Sequence, residues 1–442
     1  MLNKILNMKH INKQFSRYVI PSVIGMLVQA LYVILDGVIV GQGIGEVALG
    51  AINIVFPFSM LVIALAMLIA VGGANVYSFH KGQGEAEKAN NIFCQCLALA
   101  VMIGIVLALT GFFFRERISI FLGANEELLV PAVAYLKWSA PFSLIQMVTF
   151  GLSVFVRNDN NPKIAMLGSV FGAVINAALD IIFILVLHYG IEVAAITNGI
   201  GMGIEFLFYI SHFIFKKGAL RIRRPVFHFG EIKRVLSNGM ASSLMEFSVP
   251  AFTFSYNLAV VQIAGTLGVS AYSIVGYVCS IINMVVMGVA QGVQPLMSLY
   301  HGQNEKKGFS YVYHLGVITN IAASVVLVAI CVIFGENIAP LFHTGNTALT
   351  SLTAHMLSQY PFAYIFIGIT LMNILYFQTM ERNIYATLIS FLRCLGFVQI
   401  FLLLSVFVFD AKGIYLTFLA GELCHFIISQ VLVRRTMKRY TV

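Results

Sequence analysis

Five carboxylates lie in stretches of sequence that are otherwise apolar: Asp36, Asp180, Glu205, Glu246 and Glu422. An ionised side chain in a hydrocarbon environment costs roughly 2.5–3.5 kcal/mol on insertion scales, so acids are rare there and usually serve a function. We therefore take these five residues as the first candidates for binding an ion or a substrate.

Two of these acids have polar neighbours of the kind that binds cations. Asn176 stands four residues before Asp180, on the same helix face, and Thr197 and Asp36 belong to the same end of the predicted helices. Two carboxylates, an amide and a hydroxyl form an all-oxygen set, which suits a hard cation such as Na⁺. Neighbouring carboxylates in a low dielectric also bind a proton readily, so the residues predict Na⁺ or H⁺ as the coupling ion. The alternative is that Asn176 and Asp180 only hold helices together.

A second group of charges lies in the other half of the chain. Arg393 needs a partner within its apolar stretch, and both Glu246 and Glu422 are candidates. The group is either a structural ion pair or a second protonation or substrate site. Glu205 has no predicted partner. Pro21, fifteen residues before Asp36, removes a backbone hydrogen bond and predicts a helix kink.

Long apolar helices must position these residues. The chain has 442 residues, of which 59% are hydrophobic and 10% charged, a composition typical of membrane proteins. About 20 apolar residues cross the hydrocarbon core as a helix. Twelve such runs predict an all-α, polytopic fold: about 18–40, 49–77, 91–114, 131–156, 164–187, 193–214, 237–263, 271–300, 311–334, 355–379, 385–409 and 413–433.

Basic residues are distributed unequally between the two ends of the predicted helices. Of the 27 Lys and Arg residues, 22 fall before the first run, after the last, or in the loops that follow every second run. We call this end of the helices the basic end. Its composition predicts a multi-pass protein of the bacterial inner membrane with both termini in the cytoplasm. The net charge of +9 is thus explained by topology and does not indicate nucleic-acid binding.

The chain also repeats itself at a constant offset of 220 residues. Ser78, Gly82, Gln83 and Glu85 match Ser298, Gly302, Gln303 and Glu305, and Thr197 matches Thr417. Six spans in each half predict two parallel lobes, 1–220 and 221–442, around a central cavity. The cation-binding set is not repeated, because Asp36 corresponds to Tyr256, Asn176 to Gly396 and Asp180 to Ile400.

Three segments resemble the multidrug and toxic compound extrusion (MATE) family, within it the MepA-like bacterial branch. They are YVILDGVIVGQGIGEVALGAINIVFP (32–57), RNDNNPKIAMLGSVFGAVINAALDIIFI (157–184) and QPLMSLYHGQ (294–303). The resemblance implies a cation site at Asp36, Asn176, Asp180 and Thr197, and it places the acid of the seventh helix at Glu246. The acid that some relatives carry in the tenth helix has no counterpart, since 355–379 contains no Asp or Glu.

The expected function is cation-coupled multidrug efflux, driven by Na⁺ or H⁺, which exports small organic cations and confers antibiotic resistance. The alternative is a flippase for lipid-linked oligosaccharides or polysaccharides, whose pyrophosphate cargo calls for several basic residues within the spans. We expect neither an enzyme nor a bound cofactor, because no HExxH, GxSxG or P-loop motif occurs. We expect a monomer surrounded by membrane lipid.

The charge distribution makes the topology testable with reporter fusions. Alkaline phosphatase should be active when fused after Glu127 and inactive when fused after Gln83 or at the C-terminus, because it folds only outside the cytoplasm. A fluorescent protein at the C-terminus should be bright. An active phosphatase at the C-terminus would contradict the predicted orientation.

Overall fold

The structure is a computed structural model that describes residues 2–341, 347–408 and 414–441. Side chains are described for the same residues, apart from 2–7, 46, 249–254, 257–266, 269, 341, 395, 403–408, 414–415 and 438–441. The backbone over these ranges is almost entirely helical and contains no strand. The predicted all-α, polytopic fold class is confirmed.

Fourteen α-helices occur in this part of the chain. They are α1 Leu2–Gly43, α2 Glu46–Gly82, α3 Ala86–Phe113, α4 Arg115–Phe121, α5 Glu126–Asn158, α6 Pro162–Asp180, α7 Ile191–Ile214, α8 Phe229–Gly302, α9 Lys306–Ile338, α10 Thr347–Leu357, α11 Ala363–Thr379, α12 Asn383–Leu395, α13 Phe397–Val408 and α14 Ile414–Thr441. A π-helical segment, Ile181–Val186, continues α6, and 3₁₀ turns occupy Ala339–Leu341 and Tyr360–Phe362.

Among the described residues, 11 helical stretches are long and apolar enough to cross a membrane. They correspond to all the predicted spans except 237–263, about half of which lies outside the residues whose side chains are described. The backbone there belongs to α8, which continues without a break through the predicted spans 7 and 8.

Two predicted spans are interrupted in the structure. The span 355–379 contains the end of α10, a 3₁₀ turn at Pro361 and α11. The span 385–409 is divided at Gly396 into α12 and α13. Proline lacks the N–H that a continuous helix requires, and glycine has the lowest helix propensity of any residue except proline, so both breaks occur where the local sequence favours them.

The chain forms two compact units whose bounds differ from the predicted lobes. One unit comprises 24–243, and the other comprises 1–23 together with 244–442. Helices α1 and α8 each contribute residues to both units, and their division points, 23 and 243, are 220 residues apart. This is the offset of the sequence repeat. The assignment of lobes to 1–220 and 221–442 stays a prediction.

Glycines mediate the contact of α8 with α2 in the 24–243 unit. A Cβ atom on Gly72 would lie 2.1 Å from the Val235 carbonyl oxygen, and one on Gly239 would lie 1.8 Å from the Leu68 oxygen. The backbones are therefore too close for any side chain at either glycine. Beside them, the Asn75 amide donates a 2.7 Å hydrogen bond to Asn238.

The 1–23 and 244–442 unit repeats this arrangement. Gly292, the counterpart of Gly72, packs so closely on α1 that a Cβ atom on this glycine would lie 2.6 Å from the Val19 Cα. Tyr300 donates a 3.2 Å hydrogen bond to Gln14, and its counterpart His80 lies 3.0 Å from the guanidinium of Arg234, the counterpart of Gln14. In each unit, the start of one repeat's first helix thus packs on the second helix of the other repeat.

Asp159 connects several chain segments at the basic end of the 24–243 unit. Its buried carboxylate accepts hydrogen bonds from His212 Nε2 at 3.0 Å, from Leu220 N at 3.0 Å and from Tyr77 Oη at 3.1 Å, and Lys81 Nζ lies 3.6 Å away. Burial by itself raises the pKa of this carboxyl, but the His212 bond, the backbone N–H donors and Lys81 together hold the pKa below its ordinary value. The carboxylate thus ties the chain after α7 to α2, α5 and α7.

The glycine contact predicts opposite effects at two glycines of the same helix. Gly239→Ala should destabilise the protein by about 1–3 kcal/mol, because the added methyl group meets the Leu68 backbone. Gly276→Ala should be neutral or stabilising by up to about 1 kcal/mol, because a Cβ there contacts nothing within 4 Å. Thermal unfolding of the purified variants in detergent measures both. Equal unfolding temperatures would contradict the close contact.

Candidate cation-binding site

The site lies in the 24–243 unit, where α6 ends and α7 begins. Asp180, the last residue of α6, is fully buried and precedes the π-helical segment. The Thr197 hydroxyl donates a short hydrogen bond to Asp180 Oδ1, and it also lies 3.0 Å from the Val193 carbonyl oxygen. Single π-helical turns recur at functional positions in α-helices, because the extra residue redirects the side chains beside it.

Asp36 reaches the same point from α1. Its carboxyl group interacts electrostatically with that of Asp180. Two carboxyl groups hydrogen-bond to one another only when one of them carries a proton. Within the described part of the chain, Asp36 Oδ1 and Asp180 Oδ2 have no hydrogen-bond partner. The pair therefore requires a shared proton or a cation between the oxygens.

Asn176 completes the predicted set, one helical turn before Asp180. It is 2% exposed, and neither its amide nitrogen nor its oxygen is hydrogen-bonded to any described residue. A buried amide without hydrogen-bond partners costs about 1–3 kcal/mol per polar group. Native proteins therefore rarely leave a buried amide without a partner. An ion or water molecules beside Asn176 would satisfy both atoms.

The spacing of small and polar residues in α6 and α7 produces this geometry. Both helices carry a row of residues at intervals of four, and rows of this kind interdigitate when helices pack. A Cβ on Gly172 would lie 2.9 Å from the Gly201 oxygen, and one on Gly201 would lie 2.9 Å from Asn176 Cβ. The two rows are Gly168, Gly172, Asn176 and Asp180 in α6, and Thr197, Gly201, Glu205 and Tyr209 in α7.

A cavity of about 60 Å³ adjoins Asn176, large enough for a few water molecules. Its wall includes Tyr32, Asn198 and Glu205. Sequence analysis did not select Tyr32 or Asn198, although Tyr32 stands one turn before Asp36 and Asn198 follows Thr197. The Tyr32 hydroxyl donates a short hydrogen bond to the Asn198 side chain and so joins α1 to α7.

The structure identifies a hydrogen-bond partner for Glu205, for which the sequence predicted none. Tyr209 Oη lies 3.4 Å from its carboxylate, and the same hydroxyl lies 3.0 Å from Ser169 Oγ. Glu205 faces the cavity while Tyr209 is fully buried. The site thus contains a third acid, two turns of α7 away from Thr197.

The second group of charges lies in the other unit. Arg393 Nε is 3.0 Å from Glu422 Oε1, and His425 Nδ1 is 3.7 Å from Glu422 Oε2. His425 Nε2 in turn lies 2.9 Å from the Leu392 carbonyl oxygen. Glu246 forms no hydrogen bond or ion pair with the described residues. Of the two partners that the sequence allowed for Arg393, the structure pairs it with Glu422.

Aromatic rings occupy the position in the second repeat that corresponds to Asp36. Tyr256, its counterpart, is fully buried, with its ring centroid 4.3 Å from that of Tyr272. Tyr360 stacks on Phe418 at 4.6 Å and contacts both tyrosines edge-on. This packed cluster leaves no acid to bind a cation where the first repeat has one.

Comparison with known proteins identifies the family of this chain. The MatE family model matches residues 21–182 and 241–407. The chain belongs to the MatE family. It is 22% identical to the multidrug export protein MepA of Staphylococcus saprophyticus over 97% of this chain and 95% of the relative. It is 26% identical to MepA of Staphylococcus haemolyticus over 75% of this chain and 74% of the relative. The predicted resemblance to the MATE family and its MepA-like branch is confirmed.

Solved structures share the fold of this MatE chain. It superposes with a TM-score of 0.92 on an outward-facing multidrug resistance MATE family transporter, at 22% identity and with 98% of this chain and 97% of the other covered. A MOP superfamily transporter from Pyrococcus furiosus gives a TM-score of 0.91 at 22% identity, with the same coverage. These structures support the polytopic transporter fold.

The ion pair of the MatE chain predicts how its variants behave. Arg393→Ala should destabilise the protein by about 3–5 kcal/mol, because it leaves the buried Glu422 carboxylate unpaired. Arg393→Met combined with Glu422→Gln should recover most of that loss, since neither remaining side chain is charged. Folded yield and thermal unfolding in detergent measure both. A double variant as unstable as Arg393→Ala would show that the pair is not the source of the stability.

Proposed function

We propose that this protein is a cation-coupled antiporter that exports small organic cations across the bacterial plasma membrane, with both termini in the cytoplasm. The family membership and the multidrug export function named for its MepA relatives support transport as the activity. The distribution of Lys and Arg supports the orientation. The protein acts as a monomer without a cofactor, and it is a transporter rather than an enzyme.

The observation that carries the proposal is the carboxyl pair of Asp36 and Asp180 beside the unpartnered Asn176 amide. Without an added positive charge, the two carboxylates repel one another in a medium of low dielectric. A proton shared between them relieves that repulsion. Na⁺ relieves it as well, with the Thr197 hydroxyl and the Asn176 carbonyl as further oxygen ligands.

Antiport requires that the coupling ion and the cargo oppose one another's binding. A neutralised pair of carboxylates no longer attracts a second cation, so the ion lowers the affinity for a cationic cargo. The predicted spans contain five acids and two bases, which favours cations over anions as cargo. The 18 Met and 36 Phe residues supply soft surfaces that adapt to varied apolar cations. In this mechanism, the ion pair of Arg393 and Glu422 has a structural role.

Dye efflux in inverted vesicles tests the proposal, with a Na⁺ gradient and a pH gradient imposed separately. We expect one gradient to drive ethidium transport in the unaltered protein, and Asp36→Asn or Asp180→Asn to reduce transport to background with normal membrane insertion. Glu192→Gln is the matched control, because Glu192 is an exposed acid at the start of the same helix as Thr197. It should transport normally.

The same proteins, once purified, separate antiport from symport. Saturating Na⁺ or low pH should weaken ethidium binding to the unaltered protein and have little effect on Asp36→Asn. Tighter ethidium binding under both conditions would overturn the antiport mechanism. Full coupled efflux by Asp36→Asn or Asp180→Asn would overturn the assignment of the site.

A further inference from the structure

A second cavity, of about 400 Å³, opens at the basic end of the 24–243 unit. It lies between the start of α3 and the segment 221–228, which connects α7 to α8. Lys88, Arg223 and Arg224 line it together with the carboxylates of Glu87 and Glu231. Its permanent charges thus leave an excess of one positive charge.

Polar side chains of α3 hold the segment 221–228 in place. The Asn91 amide donates to the Val226 carbonyl and accepts from the Val226 N–H, each at 2.9 Å. Gln95 donates to the same carbonyl at 2.6 Å, and Asn90 accepts from the Arg221 N–H at 2.7 Å. Because the backbone is fixed on both sides of them, Arg223 and Arg224 are held at the cavity wall.

The charges around the cavity differ in whether they are already paired. Lys88 is 2.8 Å from Glu85, and Glu231 is 3.5 Å from Arg234. His80, also in the wall, lies between Glu85 at 2.6 Å and Glu231 at 3.8 Å. The guanidinium groups of Arg223 and Arg224 form no hydrogen bond or ion pair with any described residue.

A neighbouring arginine shows that this is not a general property of the segment. The guanidinium of Arg221 donates to the Gly218 and Leu220 carbonyls, both at 2.7 Å, and does not line the cavity. Two of the three arginines thus line the cavity, and the third is bound to neighbouring backbone carbonyls. The exposed Glu87 is the one acid at the wall that is not in an ion pair with the described residues.

Large apolar side chains alternate with these arginines and are exposed. Val226 is 59% exposed and is part of the cavity wall, and Phe229, three residues further, is 82% exposed. Ile222 and Phe227 are half exposed. Basic residues beside exposed apolar ones are typical of segments that lie in the interface between lipid headgroups and acyl chains.

We propose that this cavity binds the phosphate headgroup of an anionic phospholipid, with Arg223 and Arg224 as its ligands. Guanidinium groups bind phosphate oxygens through two parallel N–H donors, which favours arginine for this task. The single excess charge matches a headgroup with one negative charge, such as that of phosphatidylglycerol. Ile222, Val226, Phe227 and Phe229 contact the acyl chains, a contact that free phosphate cannot make.

Native mass spectrometry of the purified full-length protein tests the proposal with phosphatidylglycerol and phosphatidylcholine as probes. We expect phosphatidylglycerol to bind more tightly than phosphatidylcholine. Combining Arg223→Gln with Arg224→Gln should weaken phosphatidylglycerol binding about thirtyfold, from the attraction that each basic residue contributes near an anionic surface. Added inorganic phosphate should not displace the lipid.

The matched control is Lys216→Gln combined with Lys217→Gln, which removes the same charge from the same connection outside the cavity. It should bind phosphatidylglycerol normally. Thermal unfolding in lipid-free detergent should be the same for both double variants and the unaltered protein, and added phosphatidylglycerol should stabilise all but the arginine variant. Equal loss of binding in both double variants would reduce the effect to net charge, and displacement by inorganic phosphate would identify a free-anion site. Either outcome overturns the proposal.

Discussion

The structure depends on one constraint: a charged or polar group buried among apolar helices must find its partner inside the protein. Arg393 is paired with Glu422, Glu205 lies beside Tyr209, and Asp159 is surrounded by donors. The described Asn176 amide departs from this pattern, because both of its polar atoms lack a partner. It does so beside the carboxyl pair of Asp36 and Asp180. Gln95, another buried amide of the unit, also has an unpartnered oxygen, but its nitrogen donates to the Val226 carbonyl. An amide with neither atom partnered, next to two carboxyl groups, is the physical reason for placing an ion there.

Small residues allow the polar groups to meet. Gly172 and Gly201 bring the backbones of α6 and α7 so close that a methyl group at either position would contact the other helix. Asp180 and Thr197, which belong to these four-residue rows, are thereby held at hydrogen-bonding distance. Gly72 and Gly239 do the same for α2 and α8 at the basic end. Close contact between backbones replaces hydrophobic burial as the source of specificity, as expected for helices that are surrounded by lipid.

The two repeats share their scaffold but differ in chemistry. His80 and Arg234 correspond to Tyr300 and Gln14 at the offset of 220, and each pair joins the second helix of one repeat to the first helix of the other. The contact is retained although the residue types have changed. At the position of Asp36, the second repeat instead has Tyr256 within a packed aromatic cluster. The pair of Asp36 and Asp180 is thus confined to one copy of the duplicated scaffold.

The sequence by itself determined the all-α membrane fold, the repeat and the candidate acids, because hydrophobicity, charge distribution and a four-residue spacing are properties of the chain alone. It also brought Asn176 and Asp180 to one helix face. Only the tertiary structure decided which groups meet across helices: Asp36 with Asp180, Arg393 with Glu422 rather than Glu246, and Tyr32 with Asn198. The sequence also could not show that the starts of α1 and α8 each belong to the unit that consists mainly of the other repeat. Such pairings depend on the packing of helices that are distant in the chain, and local periodicity contains no information about which helices are neighbours.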